Sequence, residues 1–151
     1  MTAIEKSTVV QESIHIAAAP EQVWRLFRDV ERWPLWCPVI LSAKMLSGDL
    51  SKARSRFRFS VKPSWIKLQA NAEVVQAKPP GRVTWGVEKN GAYAQHTFSF
   101  EPDGEGTRAT SYEAFSGPML WALPIVMPSG KVRAMFQSWL LALKTEAEKD
   151  R

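Results

Sequence analysis

The sequence holds one cysteine, two histidines and two tyrosines in 151 residues, and each scarcity closes off a class of chemistry. A single thiol, Cys37, cannot form an internal disulfide, and no CxxC metal or redox motif exists. His15 and His96 stand far apart in sequence, which leaves no spaced ligand set for zinc, and no metal or other cofactor is expected. Long hydrophobic runs are also missing. The most apolar one, Pro118 to Pro128, is too short to span a bilayer and is broken by Pro124. Stable membrane insertion is therefore not expected, while transient membrane contact through this run stays open. The first residues are polar (Glu5, Lys6, Gln11, Glu12) and lack the basic-then-apolar layout of a signal peptide, so the cytoplasm is the expected compartment. The net charge of +5 admits an anionic partner. The basic residues are scattered, however, apart from Arg54, Arg56 and Arg58 and a looser C-terminal set, and no nucleic-acid partner is expected.

What the chain does have is seven Trp and seven Phe within a 45% hydrophobic, 23% charged composition. That balance fits an ordinary globular protein with a wide, greasy interior and few hydroxyl handles. The length suits one domain, residues 1–151, as a monomer or homodimer.

Periodicity divides the chain into strands and one long helix. From Pro128 to Lys149, Val132, Met135, Phe136, Trp139, Leu140 and Leu143 recur at spacings of three and four, one apolar stripe of a helix. Lys131, Arg133, Lys144 and Glu148 fall on the other side, and the last turn, Lys144 to Arg151, is expected to be solvated. Residues 8–17 alternate, with Val10, Ile14 and Ile16 on one face. Pro20 and Glu21 suit a helix start, and a short helix is expected to about Asp29. Pro34 and Pro38 then allow at most one more helical turn. Six further strands follow. Val39, Leu41 and Met45 share a face, and residues 54–61 place Phe57, Phe59 and Val61 inward with Arg54, Arg56 and Arg58 outward. Ile66 to Val75 places Leu68, Ala70, Ala72 and Val74 together, and Val83, Trp85 and Val87 alternate. Residues 92–100 set His96, Phe98 and Phe100 on one face, and Arg108 to Phe115 returns. Asn90-Gly91 marks a tight hairpin.

This order is identified as similar to the START/Bet v 1-like superfamily, in its polyketide cyclase/dehydrase and lipid-transport branch. The stretches that carry the resemblance are Ala18-Ala19-Pro20-Glu21-Gln22-Val23-Trp24, Asp29-Val30-Glu31-Arg32-Trp33-Pro34-Leu35-Trp36, His96-Thr97-Phe98-Ser99-Phe100-Glu101-Pro102, Gly106-Thr107-Arg108 and Phe115-Ser116-Gly117-Pro118. The resemblance implies an α+β helix-grip fold, in which a curved seven-stranded antiparallel sheet wraps a long C-terminal helix and a short helical insertion follows the first strand. It also implies an elongated apolar cavity between sheet and helix, holding lipid-like or aromatic, polyketide-like molecules, with cyclisation or dehydration chemistry in some members.

Candidate site residues follow from the inward positions. Phe57, Phe59, Leu68, Trp85, Phe98 and Phe115, with Met135, Phe136 and Trp139 of the helix, are candidate ligand walls; the alternative is that they simply fill a core. Trp36 is a candidate gate at the cavity mouth, whereas Trp33 reads as a plug. His96 shares a face with Phe98 and Phe100, so it is a candidate ligand contact and acid–base group, the alternative being a structural histidine satisfied across the sheet, with Glu113 as its cross-strand partner if Phe100 pairs with Ala109. A slip of one residue brings Tyr112 opposite instead, and Tyr112 is retained as a ligand contact. Cys37 has no neighbouring base in sequence and is not expected to act as a nucleophile. Three functions stay open: a carrier of a small hydrophobic ligand, a cyclase or dehydratase using His96, or an interaction module using residues 118–128.

Overall fold

The computed structural model describes residues 8–62, 67–89, 91–117 and 129–149. Seven strands form one antiparallel sheet: β1 (Thr8–Ile16), β2 (Ile40–Ser47), β3 (Arg56–Val61), β4 (Leu68–Lys78), β5 (Arg82–Lys89), β6 (Ala92–Asp103) and β7 (Gly106–Ser116). Their spatial order is β1-β7-β6-β5-β4-β3-β2, so the first two strands in sequence are the two edges. Helix α1 (Pro20–Phe27), a 3-10 turn (Val30–Arg32) and the single-turn helix α2 (Trp33–Trp36) carry the chain from one edge to the other. Helix α3 (Ser129–Ala147) closes the fold. This is the helix-grip arrangement.

Local chemistry explains the insertion. Pro20 opens α1 where its missing N–H costs nothing, and the Gln22 side chain accepts the Ala19 N–H at 3.2 Å. Val23, Trp24 and Phe27 are buried beneath it. α2 stops at Cys37 because the residue before Pro38 is pushed out of helical backbone. In the β6–β7 hairpin Asp103 pairs with Gly106, and Gly104 supplies the left-handed turn residue at φ +62°.

The strands and the closing helix follow the expected periodicity, with three departures. In β2 an irregularity between Ile40 and Ser42 turns Ile40 inward against Val61 and leaves Leu41 47% exposed, so Leu41 does not share a face with Met45. Arg54 precedes β3 in a turn at φ +72°, with its N–H donated to the Val74 carbonyl at 2.8 Å, so only Arg56 and Arg58 form the outward pair. The last helical turn is anchored rather than simply solvated. Lys144 donates to the His15 carbonyl at 3.0 Å, and Glu148 accepts the Ala17 N–H at 2.7 Å. Ile66, Asn90 and the 118–128 lead-in lie outside the described residues.

The core is an aromatic block between sheet and helices. Phe27, Trp33, Phe57, Trp85, Phe98, Phe100, Phe136 and Trp139 are all fully buried. Each such side chain contributes about 1.5–3 kcal/mol by leaving water. α3 runs nearest β1 and also touches β7, α1 and α2, so distance to the middle strands must be bridged by side chains. Trp33 does this at the insertion, its indole N–H bonded to the Phe27 carbonyl at 2.7 Å. Among the described residues no helix is long and apolar enough to cross a membrane.

Candidate functional site

The sheet register brings His96 of β6 directly opposite Glu113 of β7, with Phe100 opposite Ala109. His96 Nδ1 lies 3.1 Å from Glu113 Oε2, and His96 Nε2 is hydrogen-bonded to Ser111 Oγ at 2.7 Å. Ser111 sits two residues before Glu113, so period-two alternation puts both carboxylate and hydroxyl on the face that His96 occupies. A carboxylate has only acceptor sites, so a proton on Nδ1 makes this contact attractive and leaves Nε2 to receive the serine O–H. The imidazole itself is walled by rings, with centroids 4.6 Å from Phe98, 4.9 Å from Phe136, 5.1 Å from Trp85 and 5.7 Å from Trp139.

The inward rungs of the sheet fall into two regions. At the end beside α1, the rings interlock. Phe27 lies 4.6 Å from Phe98, Trp33 lies 5.3 Å from Trp139, and Phe57 lies 5.3 Å from Trp85. Phe57, Trp85, Phe98, Phe136 and Trp139 retain at most a trace of accessible surface, so no space wide enough for water adjoins them. The next rung, Phe57–Ala72–Val87–Ala94–Phe115, is small in its middle, and beyond it Phe59 faces Ala70 and Val61 faces Leu68. Leu68, Ala70, Val87 and Ala94 are only partly buried there, and Met135 of α3 keeps some exposure as well. The packed end therefore grades into an open end made of small side chains.

The candidate residues divide accordingly. Phe57, Trp85, Phe98, Phe136 and Trp139 face inward as expected but pack on protein alone. Phe59, Leu68 and Phe115 fall at the open end by register, Glu113 borders it, and Met135 lies on α3 one residue before Phe136, which packs beside His96. Trp36 is half-buried against the core, and its indole N–H, like those of Trp85 and Trp139, has no hydrogen-bond partner among the described residues. Tyr112 is a correction. The register that places Glu113 inward turns Tyr112 to the outer face, where it is 37% exposed, so it is not among the inner residues. Tyr93 is also outward and covers Gly86, where an added Cβ would meet the phenol oxygen at 2.5 Å.

Three residues were missed by sequence reasoning. Val87 was placed on the inward face but not taken as a site residue, and Ala94 went unremarked, because small residues carry no chemical signal; Ser111 was passed over between its neighbours. Alternation back from Glu113 was the signal that pointed to it. Cys37 is fully buried, and burial pushes its thiol up to about 12, so it stays protonated and unreactive. A solvent-open crevice of about 350 Å³ lies elsewhere, between the 3-10 turn and β2, lined by Arg25, Arg28, Asp29, Val30, Glu31, Met45 and Asp49. Its charged walls do not suit an apolar ligand. Among the described residues no cluster of three or more His, Cys, Asp or Glu is placed to hold a metal.

The sequence model of the family described as "Polyketide cyclase / dehydrase and lipid transport" matches residues 7–148. The chain belongs to that family. No curated protein matches it. Among solved structures, this member of the polyketide cyclase/dehydrase and lipid-transport family is similar to a START superfamily protein from Mycobacterium smegmatis, at 17% identity and a TM-score of 0.77 over 95% of this chain and 99% of that one. It is also similar to the major latex-like protein 151 of Panax ginseng, at 13% identity and a TM-score of 0.78 over 94% and 98% of the two chains. A third similar structure is the di-domain ARO/CYC StfQ of the steffimycin biosynthetic pathway. There the identity is 16% and the TM-score 0.74, with 95% of this chain against 52% of that one. At these identities the likeness establishes the fold.

Proposed function

We propose that this protein binds a small apolar ligand at the open end of the grip, between Leu68, Ala70, Val87, Ala94 and Phe115 of the sheet and Met135 of α3. The observation that carries this reading is the fall in side-chain size along the inner face. Trp85 and Phe98 fill one end, while Ala72, Val87 and Ala94 follow on the next rung. A helix held away from the middle strands leaves space wherever the side chains beneath it are small. The family's description, which includes lipid transport, supports the same role. Solvent extraction of the purified protein followed by mass spectrometry tests it. A retained lipid or aromatic compound is expected; an empty extract, together with tryptophan fluorescence that ignores a panel of apolar compounds, overturns it.

The contact between His96 and Glu113 beside this region favours a second reading, acid–base chemistry on the ligand of the cyclase or dehydratase kind. His96→Ala separates the two. A carrier keeps most of its affinity, whereas an enzyme loses turnover of a ketide-like substrate.

A further inference from the structure

The Ser111–His96–Glu113 chain has a direction. Its inner members are sealed: Ser111 has no exposure and the His96 side chain 3%, while the Glu113 side chain keeps 12% at the open end. One carboxylate oxygen faces His96, and among the described residues Glu113 has no other hydrogen-bond or ion-pair partner. Among the described residues no lysine or arginine pairs with it there. Arg133, on the nearest helix, is committed to Glu12 at 2.6 Å and reaches the Gln11 carbonyl. The other carboxylate oxygen keeps access to solvent, so a ligand that covers it must bring a donor in place of water or leave it unpaired at a cost.

We infer that Glu113 reads the polar end of the ligand, so that the site takes an apolar body carrying a hydroxyl and rejects the same body carrying a carboxylate. This rests on the binding role proposed above. A hydroxyl donates to the unpartnered carboxylate oxygen, a charge-assisted bond. A carboxylate meets Glu113 as a like charge in a poorly solvated place, where repulsion is weakly screened. His96 and Ser111 are positioning residues. The serine hydroxyl holds the imidazole in the ring orientation that presents Nδ1 to Glu113, and the imidazole holds the carboxylate.

The test uses three probes of one shape, 2-naphthol, naphthalene and 2-naphthoate, titrated calorimetrically into the full chain near neutral pH. Naphthol is expected to bind at least about tenfold more tightly than naphthoate, with naphthalene between them. Glu113→Gln keeps the side-chain shape and removes the charge. It is expected to raise naphthoate affinity and bring the two ligands within about threefold of each other. Ser111→Ala is expected to weaken naphthol about threefold while leaving naphthalene unchanged, a selective loss that a general packing defect does not produce. Equal affinity of naphthol and naphthoate in the wild type, or a naphthol preference unchanged in Glu113→Gln, overturns the assignment while leaving the apolar site in place. If Glu113→Gln fails to fold, the wild-type ratio decides alone. If none of the three probes binds, the proposed function falls and the hydroxyl preference falls with it.

Discussion

The two ends of the inner sheet face use the same strands, the same alternation and the same closing helix, yet they do opposite things. At the α1 end, inward rings from the sheet meet rings from the helices, and each touches several others, as Trp33 does with Phe27, Phe57, Phe59, Trp85 and Trp139. One rung further along, Ala72, Val87 and Ala94 occupy equivalent positions. Secondary structure cannot distinguish these regions, because both satisfy period-two alternation equally well. Side-chain volume does, and the boundary falls at the rung of Trp85, His96 and Glu113. The grip therefore has a solid end packed with rings and an end of smaller, partly buried side chains, hollow in the proposed reading, and its polar chain sits where they meet. The solid end fixes the helix; the hollow end is where the proposed ligand would sit.

The largest expected effect lies in the solid end. Trp85→Ala removes a fully buried indole that contacts Phe27, Trp33, Phe57, Phe98, His96 and Trp139, and the cavity cannot collapse around so many rings. Such a truncation costs about 3–5 kcal/mol, a large share of the stability of a domain this size. Denaturant unfolding of the variant measures it. A loss under about 1 kcal/mol would mean the block is loosely packed and the contrast between the ends false.

Cys37 probes burial beneath α2 by pH. Its thiol is raised to about 12 in the folded protein against an ordinary value of 9.0, because burial disfavours the thiolate. With the folded value above the unfolded one, its contribution to stability is whole below about pH 9 and is lost as the pH rises toward 12. The slope attributable to this one proton is about 1.4 kcal/mol per pH unit. Unfolding of the wild type and of Cys37→Ala across this range should diverge accordingly. At pH 8 the native thiol should also resist alkylation that the unfolded chain undergoes readily. Rapid labelling of the native protein would contradict the burial.

The hollow end should behave in the reverse way. Ala94→Leu introduces three carbons where the side chain is only partly buried, between Val87 and Phe115. If space exists there, stability changes by less than about 1 kcal/mol, whereas overpacking a filled core costs about 1–3 kcal/mol. Retention of apolar compounds should fall at least about tenfold in the same variant. Unchanged retention would place the ligand elsewhere.

Much of this contrast was readable in the sequence, and some was not. Alternation located seven strands, and the stripe from Val132 to Leu143 located the helix, because burial on one face leaves a period that composition cannot hide. The pairing of His96 with Glu113 was conditional on a register counted back from the Gly104 turn, and the structure has that register. Leu41 was misplaced because a bulge inserts a residue without any residue-type signal. The anchoring of Lys144 and Glu148 was invisible because both partners, His15 and Ala17, offer backbone atoms. Above all, the sequence marks large inward rings and not the space beside them. Phe57, Trp85 and Phe98 drew attention as ligand walls, whereas the accessible positions are the inconspicuous Ala70, Val87 and Ala94. Tyr112 drew attention for its phenol, although parity with Glu113 already assigned it to the other face.

The smallest expected effect sharpens that last point. Tyr112 stands opposite Thr97 and Gln11 on the outer face of β7, with Glu113 beside it pointing through the sheet. Tyr112→Phe deletes only the hydroxyl, and at an exposed position such a change stays within about 0.5 kcal/mol. Affinity for an apolar probe should stay within about twofold, since the Tyr112 side chain lies on the opposite face of the sheet from the open end. Glu113→Gln, one residue away, should by contrast change which probes bind. A matched pair of adjacent substitutions thus tests the register itself, because a one-residue slip exchanges the two faces. If Tyr112→Phe alone altered binding, β7 would be displaced by one position, the His96–Glu113 contact would not exist, and the polar boundary between the solid and hollow ends would disappear with it.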